Sequence, residues 1–377
     1  MLKFCQQIKN IAKASQNWAL LWLFLLIPIV VVQAAGPEDK TTANCGGTVA
    51  CQCGDKLVSS YTLPGSLSCP TFGLLIDNPS EDITLDCAGH TINAFFIWGY
   101  EGINIRNASS TNITIQNCRI QNFDYSIKLN NTAHVTIGNS TFTTPRVYAI
   151  QSLNGSNNNF LNNNIGSQET GLSLDSGNYN NISGNTIRTF NDNGLEITNS
   201  DFNTVNNNLL DKNTANIFLN NSHHNQLSYN TSSNAYDFGI YLTNSRFNTI
   251  WANRWELNEI NAYQADGSTN NLWDNGTTGN YWDDLQNALQ CPWAYPISGV
   301  VPFSYDYHPT GPNCVDNDGD GYGVFCAYNC PSLGLDCNDN NSAINPGTPE
   351  ICGNNIDENC DGDDRCRRGG KQQLSGP

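Results

Sequence analysis

The chain has 377 residues, enough for one large domain and a small one. Only 14% are charged, against roughly 25% in an average soluble domain, and the polarity comes instead from Asn, Ser and Thr, which suit turns and tight coils better than helix interiors. The formal net charge of −17 argues against nucleic acid as a partner and for cations.

The first segment reads as an export signal. Lys3, Lys9 and Lys13 make a basic start, Ala19 to Val32 form a short apolar run broken by Pro28, and Val32-Gln33-Ala34 offers small residues to a signal peptidase. An uncleaved membrane anchor is the alternative; no second long apolar segment follows. Of the 15 cysteines, removing Cys5 with the signal leaves 14. An even number in an exported chain reads as a disulfide framework of unfixed connectivity, not as zinc sites. Six lie early, from Cys45 to Cys118, and seven late, from Cys314 to Cys366; Cys291 stands between and could pair with Cys314.

The centre is periodic. In the phrase Asn-x-apolar, the apolar residue recurs at Phe160, Ile182, Val205, Leu227, Ile250 and Leu272, in steps of 22 or 23. A second column reads Ile120, Phe142, Ile165, Ile187, Leu210, Ser232 and Trp255, and a third Leu174, Ile197, Leu219 and Leu242. Within each phrase apolar residues stand two apart, the period of a strand with one buried face. Three columns keeping one step predict a solenoid, each coil of some 22 residues closing a triangle of three short strands. Asn163, Asn185, Asn208, Asn230 and Asn253 keep the same step and predict a stacked amide ladder at a bend. Gly171, Gly194 and Gly239 are expected where the backbone needs positive φ or close approach.

These repeats resemble the parallel β-helix repeats of the NosD-like and pectate-lyase-like superfamily. Ile83-Thr-Leu-Asp-Cys-Ala-Gly-His-Thr-Ile92 is similar to its N-terminal coil, and Gly279-Asn-Tyr-Trp-Asp283 with Asp306-Tyr-His-Pro309 to the segment that closes NosD-like helices. The resemblance covers roughly residues 44–310 and implies a right-handed parallel β-helix, an all-β fold. The expected organisation is a signal peptide at 1–34, a Cys-rich cap at 36–80, the β-helix at 81–275, a closing segment at 276–312, an acidic Cys-rich module at 313–366 and a tail at 367–377.

Many β-helix proteins act on polysaccharides, yet no catalytic residue is assigned. The Asn-Thr-Asp, His-Gly and Arg-x-Lys phrases of pectin-hydrolase-like helices are missing, and Asp283-Asp284 falls beyond the coils. Lys128 and Glu196 share an outward column three coils apart, roughly 14 Å at strand spacing, too far to act on one bond. Arg188 and Asp211 read as an exposed ion pair, and His223-His224 as a solvated turn. The ligand-binding candidates are Phe218 and Tyr241, equivalent outward rings on adjacent coils that could stack on sugars. Trp251 and Trp273, taken as a second equivalent pair, are expected under the closing segment. The partner would be a glycan or another surface protein, without nucleic acid, and with no membrane contact beyond the export signal. The chain is expected to be secreted or displayed at the cell surface. The alternative is a polysaccharide lyase, hydrolase or epimerase.

After Pro312 the composition turns acidic. Asp316-Asn-Asp318-Gly-Asp320-Gly-Tyr322 sets carboxylates at every second place with a glycine at the sixth, a loop that can aim three carboxylates at one hard cation. It is not an EF-hand, whose twelfth position needs Glu where this chain has Ala327. From Asp316 to Gly362 the stretch resembles the MopE-type metal-binding motif, departing from it at Asn338. The expected ligands are Asp316, Asp318, Asp320, Asp336, Asp339, Asp357 and Asp361, and the expected cofactor a structural Ca2+. Between Cys314 and Cys366 eleven acidic residues face one cation, Arg365, so bound calcium and disulfides would stabilise a module too small for a core.

Overall fold

The structure is a computed structural model; it describes residues 43–95, 100–189, 191–287, 295–299, 304–309, 318–319, 337–338, 340–351 and 353–360. Three long parallel sheets run the length of a solenoid of about ten turns. In each sheet every strand pairs with its counterpart one coil away, as from Tyr148–Leu153 to Thr170–Asp175. The chain is therefore an all-β parallel β-helix with almost no helix, followed by a small module closed by the Cys337–Cys360 disulfide.

The apolar columns are its interior. Ile182, Val205 and Leu227 are aligned in register and fully buried. So are Ile120 through Trp255, with Ser232 as the one polar member, and Leu174 through Leu242. Branched side chains fit this pleated surface, and their burial drives the stacking.

One column breaks step. Leu272 is 60% exposed, because Thr249 pairs with Leu272 and so Trp273, fully buried, takes the inward place above Ile250. The step here is 23, not 22. Trp251 and Trp273 are therefore not equivalent: Trp251 aligns with Ser228 on the outward side. The glycines are corrected in part. None of Gly171, Gly194 and Gly239 has positive φ. All three sit where a Cβ would strike a neighbouring coil, 2.5 Å from the Gly194 carbonyl at Gly171 and 2.5 Å from the Asn261 carbonyl at Gly239. Positive φ falls instead on corner residues, mostly Asn, such as Asn162, Asn207 and Asn244, a residue that tolerates the left-handed region.

The asparagine ladder is as expected and longer. Each side-chain amide donates to the amide oxygen one coil on, from Asn163 through Asn185, Asn208, Asn230 and Asn253 to Asn280, at 2.9–3.0 Å. The ladder ends on Asp306, whose carboxylate accepts from the Asn280 side chain, the Asn280 N–H and the Trp282 indole. Toward the N-terminus the same column passes through Ser140 and Cys118, and a disulfide joins Cys118 to Cys87. A second ladder, unforeseen, runs Asn158, Asn180, Asn203, Asn225, Asn248 and Asn271. Its residues are the Asn of the Asn-x-apolar phrase itself.

Strand pairing begins at Asn44–Cys45, so the Cys-rich segment contributes coils of its own to the three sheets. The six early cysteines pair among themselves: Cys45 with Cys51, Cys53 with Cys69 and Cys87 with Cys118. At the far end Trp282 continues the column of Trp255, packs beside Trp273 and stacks on Tyr295 at 4.0 Å. Asp283 and Asp284 accept from Asn261, and Tyr295 donates to Asp284. The Asp-Asp pair thus fastens the cap.

Substituting Asn208→Leu would take the acceptor of the buried Asn185 backbone N–H, one acceptor of the Asn185 side chain, and the side-chain donor to the Ile182 carbonyl and the Asn230 oxygen. At about 1–3 kcal/mol for each unsatisfied buried group, a loss of at least 3 kcal/mol is expected in urea denaturation. Asn207→Gly, at the exposed corner beside it, should stay within about 0.5 kcal/mol. Equal costs for the two would contradict the ladder's role.

Candidate functional site

Six consecutive strands of the first sheet, Tyr148–Leu153, Thr170–Asp175, Leu195–Thr198, Ala215–Asn220, Phe238–Thr243 and Ile260–Gln264, set every second side chain inward, and only in Thr170–Asp175 is the central outward position, Ser173, itself buried. Their central outward column, extended back one strand, reads Lys128, Gln151, Ser173, Glu196, Phe218, Tyr241 and Tyr263. Phe218 and Tyr241 are neighbours as expected, ring centroids 5.4 Å apart and tilted by 35°. Lys128 and Glu196 are three coils apart, also as expected.

The structure enlarges the aromatic patch. Tyr263 meets Tyr241 edge to face at 5.6 Å, and Phe238, from the flanking column, lies 4.9 Å from Tyr241. Toward the N-terminus Tyr125 and Tyr148 stack at 5.7 Å. The step of 22 or 23 that links Phe218 to Tyr241 also links Tyr241 to Tyr263 and Tyr125 to Tyr148, so these rings were legible by extending the count.

Between the two groups of rings the face is polar and acidic. It carries Ser173, Asp175, Glu196 and Thr198, with Asp192 at the strand entrance. Glu196 is half-buried, and its pKa is raised, first by burial and then by the Asp192 carboxylate. Burial likewise raises the Tyr148 hydroxyl, with Glu196 adding to it. Asp192 accepts from the Thr170 hydroxyl at 2.9 Å, and Asp175 from the Asn199 amide at 3.2 Å. No Lys or Arg stands in any of the six strands. Lys128, on the strand before them, lies 3.5 Å from Glu101 and 4.6 Å above the Tyr125 ring.

Other candidates are placed as follows. Arg188 and Asp211 form an ion pair on adjacent coils of the second sheet, with Arg188 half-exposed. Asp192 lies away from that pair's register, against Thr170. His223 and His224 do not form a metal pair. His223 Nδ1 accepts the Arg246 N–H at 3.1 Å, which as a neutral imidazole leaves its proton on Nε2. His224 lies in a parallel stack of exposed corner rings, Tyr179, Phe202, His224 and Phe247, at 5.0–5.2 Å and within 9° of parallel. Rings so stacked cover one another's faces and turn edges to solvent, whereas sugars pack on faces.

In the C-terminal stretch Asp318 and Asp357 lie among the described residues; Asp316, Asp320, Asp336, Asp339 and Asp361 lie outside them. Among the described residues no three His, Cys, Asp or Glu gather in a cluster able to hold a metal. The Cys337–Cys360 disulfide ties the Asp-Cys-Asn-Asp phrase to the Ile-Asp-x-x-Cys-Asp phrase, so the two acidic phrases are anchored together. Glu358 serves the fold of this stretch. Its carboxylate accepts from the Asn354 amide and the Ile351 N–H, and these bonds hold its pKa below the ordinary Glu value. Cys291 and Cys314, Cys5 and the export signal fall outside the described residues, and no described helix is long and apolar enough to cross a membrane.

A raised acid binds its proton in the folded state at a pH where the unfolded chain, near pH 4.3, has begun to release it. Stability then falls as pH rises from about pH 4 through the folded pKa of Glu196 and levels off above it. Glu196→Gln lacks this loss, so its stability relative to the parent chain should grow as pH rises through that window. Urea denaturation from pH 4 to 8 reads this, and a pH-independent difference would contradict it.

Comparison with known proteins agrees with the architecture. A family model described as "Right handed beta helix region" matches residues 101–255. One described as "Putative metal-binding motif", of the MopE type, matches residues 336–364. No curated protein matches the chain. Similar solved structures include the periplasmic alginate epimerase AlgG, at 15% identity and TM-score 0.36, over 67% of this chain and 71% of that one. The enzymatically active domain of bacteriophage CBA120 tailspike protein 2 has 12% identity and TM-score 0.44, over 70% of this chain and 48% of that one. The A-module of the Azotobacter vinelandii mannuronan C-5 epimerase AlgE6 has 13% identity and TM-score 0.37, over 62% and 84%. These likenesses concern the fold alone. The chain carries a right-handed parallel β-helix region and, at its C-terminus, a disulfide-bonded stretch that matches the MopE-type metal-binding motif.

Proposed function

We propose that the chain is an exported β-helix protein that binds a glycan along the outer face of its first sheet and carries a calcium-stabilised acidic module at its C-terminus. The observation that carries the first part is the row Phe218, Tyr241 and Tyr263 with Phe238, repeated at coil spacing on a flat parallel face. Successive rings, 5.4 and 5.6 Å apart, follow the solenoid axis, so a linear polysaccharide lying along that axis can meet one ring per coil. Tilted rings leave part of their faces free for C–H packing, and Thr198 and Asn220 offer hydroxyl and amide partners beside them. Three disulfides in the early coils fit an oxidising, extracellular setting. Binding by a glycan array should fall at least about tenfold on Phe218→Ala with Tyr241→Ala, the loss expected when two stacking rings are removed, without change in the melting temperature beyond a few degrees. Unaltered glycan binding by the double variant would contradict the assignment.

A second reading has one observation in its favour. Glu196 holds its proton above the ordinary carboxylate range and sits beside Asp192 in the interval between the two groups of rings. A polysaccharide lyase, hydrolase or epimerase would use such an acid. New reducing ends or unsaturated sugars, absent in Glu196→Gln, would establish that reading over simple binding.

For the module, the alternating carboxylates of Asp316, Asp318 and Asp320, and Asp336 and Asp361 as the sequence neighbours of the disulfide-bonded Cys337 and Cys360, support a hard, oxygen-seeking cation. Isothermal titration of the full chain with Ca2+ should show saturable binding that Asp316→Asn, Asp318→Asn and Asp320→Asn together weaken by at least about a hundredfold, since three charged ligands are lost. Undiminished calcium binding in that variant would refute the ligand set.

A further inference from the structure

The rings of the first sheet provide surface for a sugar; the charge around them selects which sugar. We infer that this face takes a linear glycan bearing free amino groups and turns away uronate and sulfated polymers. The inference rests on the glycan-binding reading above and deepens it.

The argument is one of sign. From Tyr148 to Gln264 the six first-sheet strands hold no Lys or Arg, while Asp175 and Glu196 project from them and Asp192 stands at the entrance of one. Several cations of the solenoid are already held by other groups. Lys128 is held by Glu101 and the Tyr125 ring, Arg188 by Asp211, and Arg254 by Glu256 and the Tyr281 ring. A polyanion laid along this face would meet carboxylates at successive coils with no cation to offset them, in a half-buried setting where screening is weak. An ammonium group meets the reverse. It relieves the repulsion between Asp192 and Glu196, pairs with a carboxylate that the free protein keeps partly desolvated, and packs over the adjacent rings by cation–π attraction. Glu196 stands directly beside Phe218 in the ladder, so one sugar unit can stack on the ring while its amino group reaches the carboxylate.

Titration calorimetry of the full chain with three hexasaccharides tests this: β-linked glucosamine, its N-acetylated counterpart and a hexuronate. At low ionic strength the glucosamine oligomer should bind about tenfold more tightly than the acetylated one, the gain of one charge-assisted hydrogen bond, and the hexuronate should bind weakest. Glu196→Gln, close to isosteric, should erase the preference for the free amine, as should added salt, while Tyr241→Ala should weaken both amino and acetylated oligomers. Equal binding of the first two, or stronger binding of the hexuronate, would overturn the inference and leave the ring-face reading standing. Failure of all three to bind would overturn both.

Discussion

The structure depends on one constraint: equivalent residues of successive coils lie directly above one another, so whatever a side chain offers upward must match what its successor offers downward. Apolar columns meet this by shape. The polar columns meet it by choosing asparagine, whose amide both donates and accepts, so that each member serves the coil before and the coil after. Such a chain of like groups has two ends that cannot be served in the same way. In the Asn163 column the structure solves each end chemically. At the N-terminal end a disulfide, Cys87–Cys118, replaces the amide link with a covalent one. At the C-terminal end stands Asp306, an acceptor with no donor of its own to satisfy. Its full burial raises its pKa, a cost opposed by the hydrogen bonds it receives from Asn280, Trp282 and the His308 N–H. A neutral amide there would leave a donor over the end of the core.

The same constraint organises the outer surface, because an outward residue on one coil is continued by an outward residue on the next. Two aromatic rows arise from it, and their chemistry differs with their position. At the corner, Tyr179, Phe202, His224 and Phe247 all adopt positive φ, a conformation unfavourable for bulky residues, and stack nearly parallel. Their mutual stacking offsets that strain and occupies the ring faces, which makes the corner row a structural ladder. On the first sheet Phe218, Tyr241 and Tyr263 have no positive φ and are tilted on one another by 35° and 64°, so along this column their packing is incomplete, although Phe238 stacks on Tyr241. Identical spacing thus yields a self-contained row in one place and an open one in another.

This division explains how much was legible in advance. Inward columns announce themselves, since Ile120 through Trp255 keep one step and one polarity, and the amide ladder announced itself through a run of identical residues. Position within a coil was harder. The shift from Leu272 to Trp273 is invisible to a count of 22 or 23, both of which occur throughout, and only the burial of the larger ring decides it. The second asparagine ladder went unread because its residues served as the alignment mark. The early coils resemble a cap in sequence, since their strands are as short as two residues and buried cysteines such as Cys45, Cys51 and Cys69 stand where later coils have branched apolar residues. The acidic stretch shows its chemistry in the sequence, through carboxylates at every second place of residues 316–320 and the cysteines beside Asp336 and Asp361.

Glu196 bears most directly on what the solenoid is for. The column it occupies is filled on the two preceding coils by Gln151 and Ser173, neutral residues that meet every demand of an outward position on a parallel sheet. A scaffold needs nothing more. Glutamate at the next place is half-buried, repelled by Asp192 and Asp175 and relieved only by the Thr198 hydroxyl at 3.4 Å, so the folded state disfavours its charge. It is also the residue at which the column turns from polar to aromatic, with Phe218 and Tyr241 on the following coils. Where the asparagine columns pair like with like, this junction instead holds a carboxylate whose charge the folded state disfavours. Ladder logic gives no reason for it; the ammonium-bearing ligand proposed above would supply one.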